Sequence, residues 1–347
     1  MKQAGVGNKS VIVHRFGAIG DFIITTPIYP LLKKEGWNVT LNTTKRGMEI
    51  LKHNPCIDKF RLHNSSIKPN EELDKYIQEL GKNYDRTIDL CESIEGTLSK
   101  VEWRDDFFWS KEKRHKECNV NFYDRTLEIA GYKNLNGYNR NGRLYFSRLE
   151  EMMVKDIRKK HKKHFLILWS LAGSSAHKAY PFAEYAAKII INRYPEAFII
   201  TVGDAICELI EPKGVRIKNC SGKWGIRKSL LMTKYANLVI GTDTGLMHGA
   251  GSFDTPKILL LSSTTHENIS KYWANVVTLS ANVECQPCHQ LHYNMKYCIL
   301  DAKLKTPICM TKLKVKDVLD AVDKVYQDWR KERYDSTNNA NSRQYCN

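Results

Sequence analysis

Short runs of apolar, β-branched residues recur along this chain, each broken by a turn and followed by a stretch of helical spacing. The first run is Ser10–Phe16 (SVIVHRF), which breaks at Gly17-Ala18-Ile19-Gly20. A helix is expected from Asp21 through Lys34, with Pro27 inside its first turns. Trp37–Thr44 (WNVTLNTT) reads as a second strand, Met48–Asn54 as helical, and Tyr84–Leu90 (YDRTIDL) as a further strand. The pattern restarts at His164–Ser170 (HFLILWS). An amphipathic helix at Pro181–Pro195, a strand at Ala197–Asp204 and a helix at Ser229–Leu238 follow. Strands at Asn237–Asp243 and Pro256–Ser263 then flank a helix that starts near Gly245.

Strands alternating with helices predict an α/β protein built on parallel sheets with helices on both faces. Two such series in tandem predict two Rossmann-like, doubly wound domains facing a central cleft. Residues 1–154 form the first domain, 155–163 a basic linker, 164–325 the second domain, and 326–347 a C-terminal helix and tail. In doubly wound sheets ligands bind beyond the carboxyl ends of the strands, so the loops after strands carry the chemistry. Three of them stand out.

The first is RFGAIGD, Arg15 to Asp21. Gly17 and Gly20 let the backbone turn sharply and come close to a ligand or phosphate at the helix start. The motif is GxxGD rather than GxGxxG, and the second strand ends in Asn42, Thr43 and Thr44 without an acid for a ribose. Asp21 reads either as a favourable first-turn acid or as a carboxylate that takes a proton from a substrate hydroxyl. The second loop is SLAGSSAHKAYP, where Gly173, Ser174 and Ser175 precede Lys178. Lysine beside backbone N–H groups holds phosphate, although a loop rich in glycine and serine needs no ligand. The third is IGTDTGLMHGAG, in which a strand runs into Asp243, Thr244 and Gly245, with His248 on the first turn of the next helix. Thr244 and the helix-start N–H groups suit a diphosphate, and the alternative for His248 is a structural histidine.

Composition narrows the class. The 347 residues are 42% hydrophobic and 27% charged, which excludes wholesale disorder and a membrane-spanning chain. The amino-terminal stretch lacks the apolar core of a signal peptide, so a cytoplasmic protein is expected. The net charge of +16 points to an anionic partner without choosing among phosphate-bearing glycan, membrane surface and nucleic acid. The surplus is +5 over residues 1–150, +10 over 151–325 and +1 beyond. Six of the ten residues from Lys155 to His164 are Lys or Arg, and Lys111–Lys116 (KEKRHK) is a smaller run. Each reads as a solvated helix face or linker, or as a surface that attracts an anionic acceptor or membrane.

Taken together, in this order and spacing, the loops resemble glycosyltransferase family 9, the ADP-heptose:lipopolysaccharide heptosyltransferases. The resemblance runs from about residue 9 to 325: strand–GxxGD–helix, S-x-x-x-K-x-x-P, D-T-G-L-M-H, PKILLLSS, Trp273, and the CQPC segment followed by Cys309-Met310. It implies the GT-B fold, with acceptor on the N-terminal domain and nucleotide-sugar on the C-terminal one. It further implies an inverting, metal-independent glycosyltransferase moving a heptose-like sugar from an ADP- or UDP-linked donor to a lipopolysaccharide core or other anionic glycan. Asp21 would then be the general base, while Ser174, Ser175 and Lys178 contact the donor phosphates. Asp243, Thr244, Gly245 and His248 would line the nucleotide-diphosphate site, and no cofactor is required. The chain departs from the family at Tyr180, where tryptophan is common. Such an enzyme is expected to be cytoplasmic, peripheral at the inner membrane face.

Ten cysteines in this setting read as reduced thiols. Cys285, Cys288, Cys298 and Cys309 have a C-x2-C-x9-C-x10-C spacing that suits a structural zinc, with His289 and His292 as spare ligands; a set of reduced or opportunistically paired thiols is the equal alternative. Two other functions compete with glycan transfer. A phage-type DNA glycosyltransferase acting on hydroxymethylated bases keeps the chemistry and suits the charge equally well. A non-catalytic GT-B binding module would not need a base at Asp21.

Overall fold

A computed structural model describes residues 9–63, 71–98, 104–173, 176–290 and 295–344. The chain divides into two compact units. Met1–Leu149, Ser263–Trp273 and Pro287–Leu291 make up the first, and Glu150–Ser262, Ala274–Gln286 and His292–Asn347 the second.

In the first unit, β1 (Ser10–His14) has Val11, Ile12 and Val13 fully buried, as a central parallel strand requires. The helix expected from Asp21 to Lys34 is two helices, α1 (Ile19–Ile24) and α2 (Ile28–Lys34). Pro27 has no N–H to offer a continuing helix, and it becomes the N-cap of α2 instead. Thr25 and Thr26 turn their hydroxyls back onto the carbonyls of Phe22 and Ile23, closing α1. β2 (Asn38–Thr43), α3 (Lys45–Leu51), β3 (Lys59–Leu62), α4 (Glu71–Gly81) and β4 (Arg86–Asp89) follow. α5 (Lys111–Cys118) and α6 (Phe122–Ile129) complete the helices of this stretch. The four strands are parallel, in the order β3-β2-β1-β4. The periodicity missed β3 because an edge strand of sequence KFRL buries little.

α7 (Arg148–Lys160) lies in the second unit from Glu150 onward, so the basic stretch is helical through Lys160 rather than a linker. Its ends explain this: Glu150 and Glu151 occupy the first turn and Arg158, Lys159 and Lys160 the last, as the helix dipole favours. Val154 anchors the inner face, and Glu150 pairs with Arg227 at 2.9 Å. β5 (Phe165–Ser170) is buried at every position and is central to its sheet. α8 (Ala183–Arg193), β6 (Ala197–Val202), β7 (Ile217–Asn219), α9 (Ile226–Tyr235), β8 (Leu238–Thr242), α10 (Gly245–Gly251) and β9 (Lys257–Leu260) come next. α11 (His266–Ile269) belongs to the first unit, where the Asn268 amide donates to the carbonyls of Cys118 and Val120. β10 (Val276–Leu279), α12 (Ile308–Thr311) and α13 (Val315–Gln344) end the chain.

All strand pairings of the second sheet are parallel, in the order β7-β6-β5-β8-β9-β10. In order of appearance that is 3-2-1-4-5-6, the order of the dinucleotide-binding Rossmann sheet. α13 starts eleven residues before the expected tail, because Val318, Val322 and Tyr326 form one stripe buried on the core of this unit. Among the described residues no helix is long and apolar enough to cross a membrane.

Candidate active site

Both sheets reverse strand order beside their first strand, and ligands bind at such switch points. In the first unit the reversal lies between β1 and β4, and the loops after these strands hold Asp21 and Glu95. Gly17 has φ +114°, and a Cβ there would stand 2.5 Å from Asp21 Oδ2. Only glycine allows the turn and leaves room for that carboxylate. The Ala18 N–H donates to Asp21 Oδ2 at 2.6 Å, the bond a first-turn acid makes. Arg15 Nη2 stands 3.2 Å from the same oxygen. Among the described residues both contacts fall on Oδ2 and nothing donates to Oδ1. Gly20 is buried within α1.

Arg15 had no role in the sequence reading, and Glu95 was not singled out at all. The Arg15 side chain is fully buried yet meets its partners on every side. Its Nη1 donates to the carbonyls of Leu90 and Cys91 and to Glu95 Oε2, and its Nη2 donates to Glu95 Oε1. Burial alone would lower the basicity of the guanidinium, but Asp21 and Glu95 raise it. Burial raises the Glu95 carboxyl, with Asp21 adding and Arg15 opposing. One buried cation thus serves two carboxylates. Nearby, His14 is fully buried and held neutral, its pKa lowered by that burial to about 4. Asn42 donates to its Nδ1 at 2.9 Å.

In the second unit the reversal lies between β5 and β8. The loop after β5 carries Lys178, and the loop after β8 carries Asp243 and Thr244. Lys178 Nζ donates to Asp243 Oδ2 at 2.8 Å and to the Asp243 carbonyl at 3.1 Å. Of its three N–H donors, one is left over among the described residues. His248 Nε2 stands 3.4 Å from Asp243 Oδ1. Burial would raise the Asp243 carboxyl, but Lys178 and His248 hold it well below the usual carboxylate range. Thr244 caps α10 by accepting from the Met247 N–H, and its hydroxyl lies 3.2 Å from Ser170 Oγ. Gly173 packs tightly here: a Cβ would meet Thr244 Cγ2 at 3.2 Å and the Asp243 carbonyl at 3.4 Å. Gly245 opens α10. Ser174 and Ser175 lie outside the described residues. Tyr180 is a core residue, donating its hydroxyl to the Leu313 carbonyl.

Among the described residues no group of three or more His, Cys, Asp or Glu side chains could hold a metal ion. Cys285, Cys288, Cys298 and Cys309 are accordingly not gathered into such a group. Cys288 belongs to the stretch that packs with the first unit, whereas the other three belong to the second. The adjacent His289 donates its backbone N–H to the Ser263 carbonyl at 2.8 Å, and its ring nitrogen lies 3.1 Å from that of His115. Burial, followed by Cys285, raises the Cys298 thiol. His292 lies outside the described residues.

The model of glycosyltransferase family 9 (heptosyltransferase) matches residues 74–298, more than half of the chain. Lipopolysaccharide heptosyltransferase 1 of Campylobacter coli is 23% identical, over 92% of this chain and 99% of that protein. Among solved structures, a family 9 glycosyl transferase of Veillonella parvula superposes with a TM-score of 0.65 at 13% identity, covering 94% of this chain and 99% of the other. ADP-heptose lipopolysaccharide heptosyltransferase II of E. coli gives 0.62 at 14%, covering 92% and 99%. These structures share the fold, two Rossmann-like units of the GT-B type. The chain belongs to glycosyltransferase family 9, the heptosyltransferases, and is a nucleotide-sugar-dependent glycosyltransferase.

Proposed function

We propose that this enzyme transfers a heptose from ADP-heptose to a hydroxyl of a lipopolysaccharide-core glycan, with inversion and without a catalytic metal. The observation that carries this reading is the Lys178–Asp243–His248 group at the switch point of a 3-2-1-4-5-6 sheet. A lysine held there by a buried carboxylate suits a diphosphate far better than it suits a structural role alone. The relatives named above supply the sugar and acceptor class, since one is an ADP-heptose enzyme and two act on lipopolysaccharide.

In this mechanism Asp21 Oδ1 accepts the proton of the acceptor hydroxyl. The hydroxyl oxygen attacks the anomeric carbon as its bond to the β-phosphate oxygen breaks, and one displacement inverts the configuration. The free N–H of Lys178, together with Ser174, Ser175 and the first-turn N–H groups of α10, meets the charge on the departing diphosphate, the task that a metal ion performs in other transferases. Thr244, Gly245 and Gly173 shape that loop, and Asp243 orients Lys178 and His248. The domain division serves the same reading: residues 1–149 bind acceptor and the β5–β10 unit binds donor.

The test is a nucleotide-release assay with ADP- and UDP-linked sugars against lipopolysaccharide-core oligosaccharide and hydroxymethylated DNA, with and without EDTA. Release of ADP with the glycan acceptor, undiminished by EDTA, is expected. Release only with DNA, or an absolute need for a divalent ion, would refute the acceptor or the metal-free step respectively.

A further inference from the structure

The carboxyl edge of the first sheet carries a second polar cluster, which the chemistry above does not use. Arg15 extends β1 by one residue, its N–H pairing with the Asn42 carbonyl at 3.1 Å. Successive residues of a strand face opposite sides, so Arg15 with Asp21 occupies one face of this edge and His14 the other. In register with His14 stand Asn42 of β2 and Asp89 of β4. On this face α4 supplies Tyr76, whose hydroxyl donates to Asn42 Oδ1 at 3.3 Å. His63 follows β3 and is fixed by its N–H on the Thr43 carbonyl at 2.8 Å. Its ring centroid lies 4.2 Å from that of Phe16 and 5.5 Å from that of Tyr76.

The hydrogen bonds of this cluster run in one direction. Tyr76 donates to Asn42, and Asn42 donates to His14 Nδ1, so the neutral His14 ring carries its proton on Nε2. That N–H is buried and has no partner among the described residues. His63 Nδ1 is likewise buried without a partner among them. An unsatisfied buried polar atom costs stability until another group meets it. The two imidazoles are near enough for the charge of one to oppose that of the other. A hydroxyl is suited to meet both, because it accepts one hydrogen bond and donates another. The other charge acting on His14 is that of Asp89, which repels an anion and leaves a neutral group as the better occupant.

Phe16, His63 and Tyr76 are each half-buried. Aromatic rings beside a few convergent polar groups are the composition of small-molecule sites, and the C–H face of a pyranose packs on such rings. Phe16 also belongs to the loop that ends at Asp21, so a glycan held here lies beside the stretch that carries the proposed base. Because His14 and Asp21 serve opposite faces of the edge, the sugar unit at His14 is a different one from the unit that reacts. We propose, resting on the glycan-transfer reading above, that His14 and His63 form a subsite for a neutral, unreactive sugar unit of the acceptor. One hydroxyl of that unit accepts from His14 Nε2 and donates to His63 Nδ1, while its ring packs against Phe16.

The test compares the full-length parent with His63→Phe, which keeps a ring between Phe16 and Tyr76 and removes both nitrogens. The probes are a lipopolysaccharide-core oligosaccharide and its monodeoxy analogues. The variant should bind the oligosaccharide about 10-fold more weakly by calorimetry, with acceptor KM raised alike and kcat changed less than about twofold. Its affinity for nucleotide sugar should match the parent's, which shows that it is folded. One deoxy analogue should bind the parent about 10-fold more weakly than the intact glycan, and the variant should not distinguish the two. Equal glycan affinity in parent and variant would overturn the subsite, as would a parent indifferent to every deoxy analogue, since an ordered water would then satisfy the imidazoles. A fall in kcat at constant KM would also overturn it, leaving His63 a structural residue. A parent that binds the glycan but transfers nothing to it would refute the transfer reading instead, and the binding comparison still decides the subsite.

Discussion

Arg15 and Glu95 form a two-pronged ion pair, Nη1 to Oε2 at 2.9 Å and Nη2 to Oε1 at 3.1 Å, and the same Nη2 reaches Asp21 at 3.2 Å. Asp21 therefore shares its cation with a second carboxylate. Glu95→Gln keeps the shape but removes that competition, leaving the full charge of Arg15 on Asp21. Asp21 becomes a poorer proton acceptor, so the plateau of kcat/KM should fall by roughly 3- to 10-fold. An unchanged kcat/KM in the variant would reduce Glu95 to a structural role.

Asp21→Asn tests the base itself. General-base removal typically costs a factor of about 10² to 10⁴ in turnover. Donor affinity, measured by calorimetry with the nucleotide sugar, should stay within a few-fold of the parent, because the residues proposed to bind the donor lie on the second unit. Normal turnover in this variant would remove Asp21 from the mechanism.

Lys178→Ala should weaken donor binding by about 10- to 100-fold, the worth of one or two charge-assisted bonds to a diphosphate. It also leaves Asp243 in place without its main counter-charge, at a cost of about 3 kcal/mol in stability. The sign with pH follows from the depressed Asp243 carboxyl. In the parent its contribution is present above the ordinary carboxylate range and is lost as pH falls through the folded-state value. Urea unfolding of parent and variant should therefore converge as pH falls.

Lys257 gives a stability prediction far from the chemistry. Its amine is buried, donating to the carbonyls of Phe253 and Ala274, and burial lowers it from 10.5 to about 8. Between those values the unfolded chain binds more protons than the folded one, so stability rises with pH across the window, by about 3 kcal/mol in total. Lys257→Met should lack this rise. Urea midpoints from about pH 8 to pH 10 give the check, and equal slopes in the two proteins would refute it.

The alternation of apolar runs and helical spacing determined the central strands and the tandem α/β organisation. Burial on both faces writes itself into continuous stretches such as SVIVH and FLILWS. It also located the loops after β1, β5 and β8, where Asp21, Lys178 and Asp243 lie. The edge strands β3, β7 and β10 were not legible, because half-exposed pairs impose little apolar pattern. Nor was the break at Pro27 between α1 and α2, or the helical state of the basic run, which depends on charges placed at its two ends. Only tertiary structure decided what stands beside what. Strand order brought Glu95, eighty residues from Arg15, onto the guanidinium that holds Asp21. It brought Asp243, sixty-five residues from Lys178, onto that lysine, and it assigned Cys288 and its three presumed companions to different units. Spacing along a chain reports local geometry, while partners this distant in sequence meet only through the order in which strands pair.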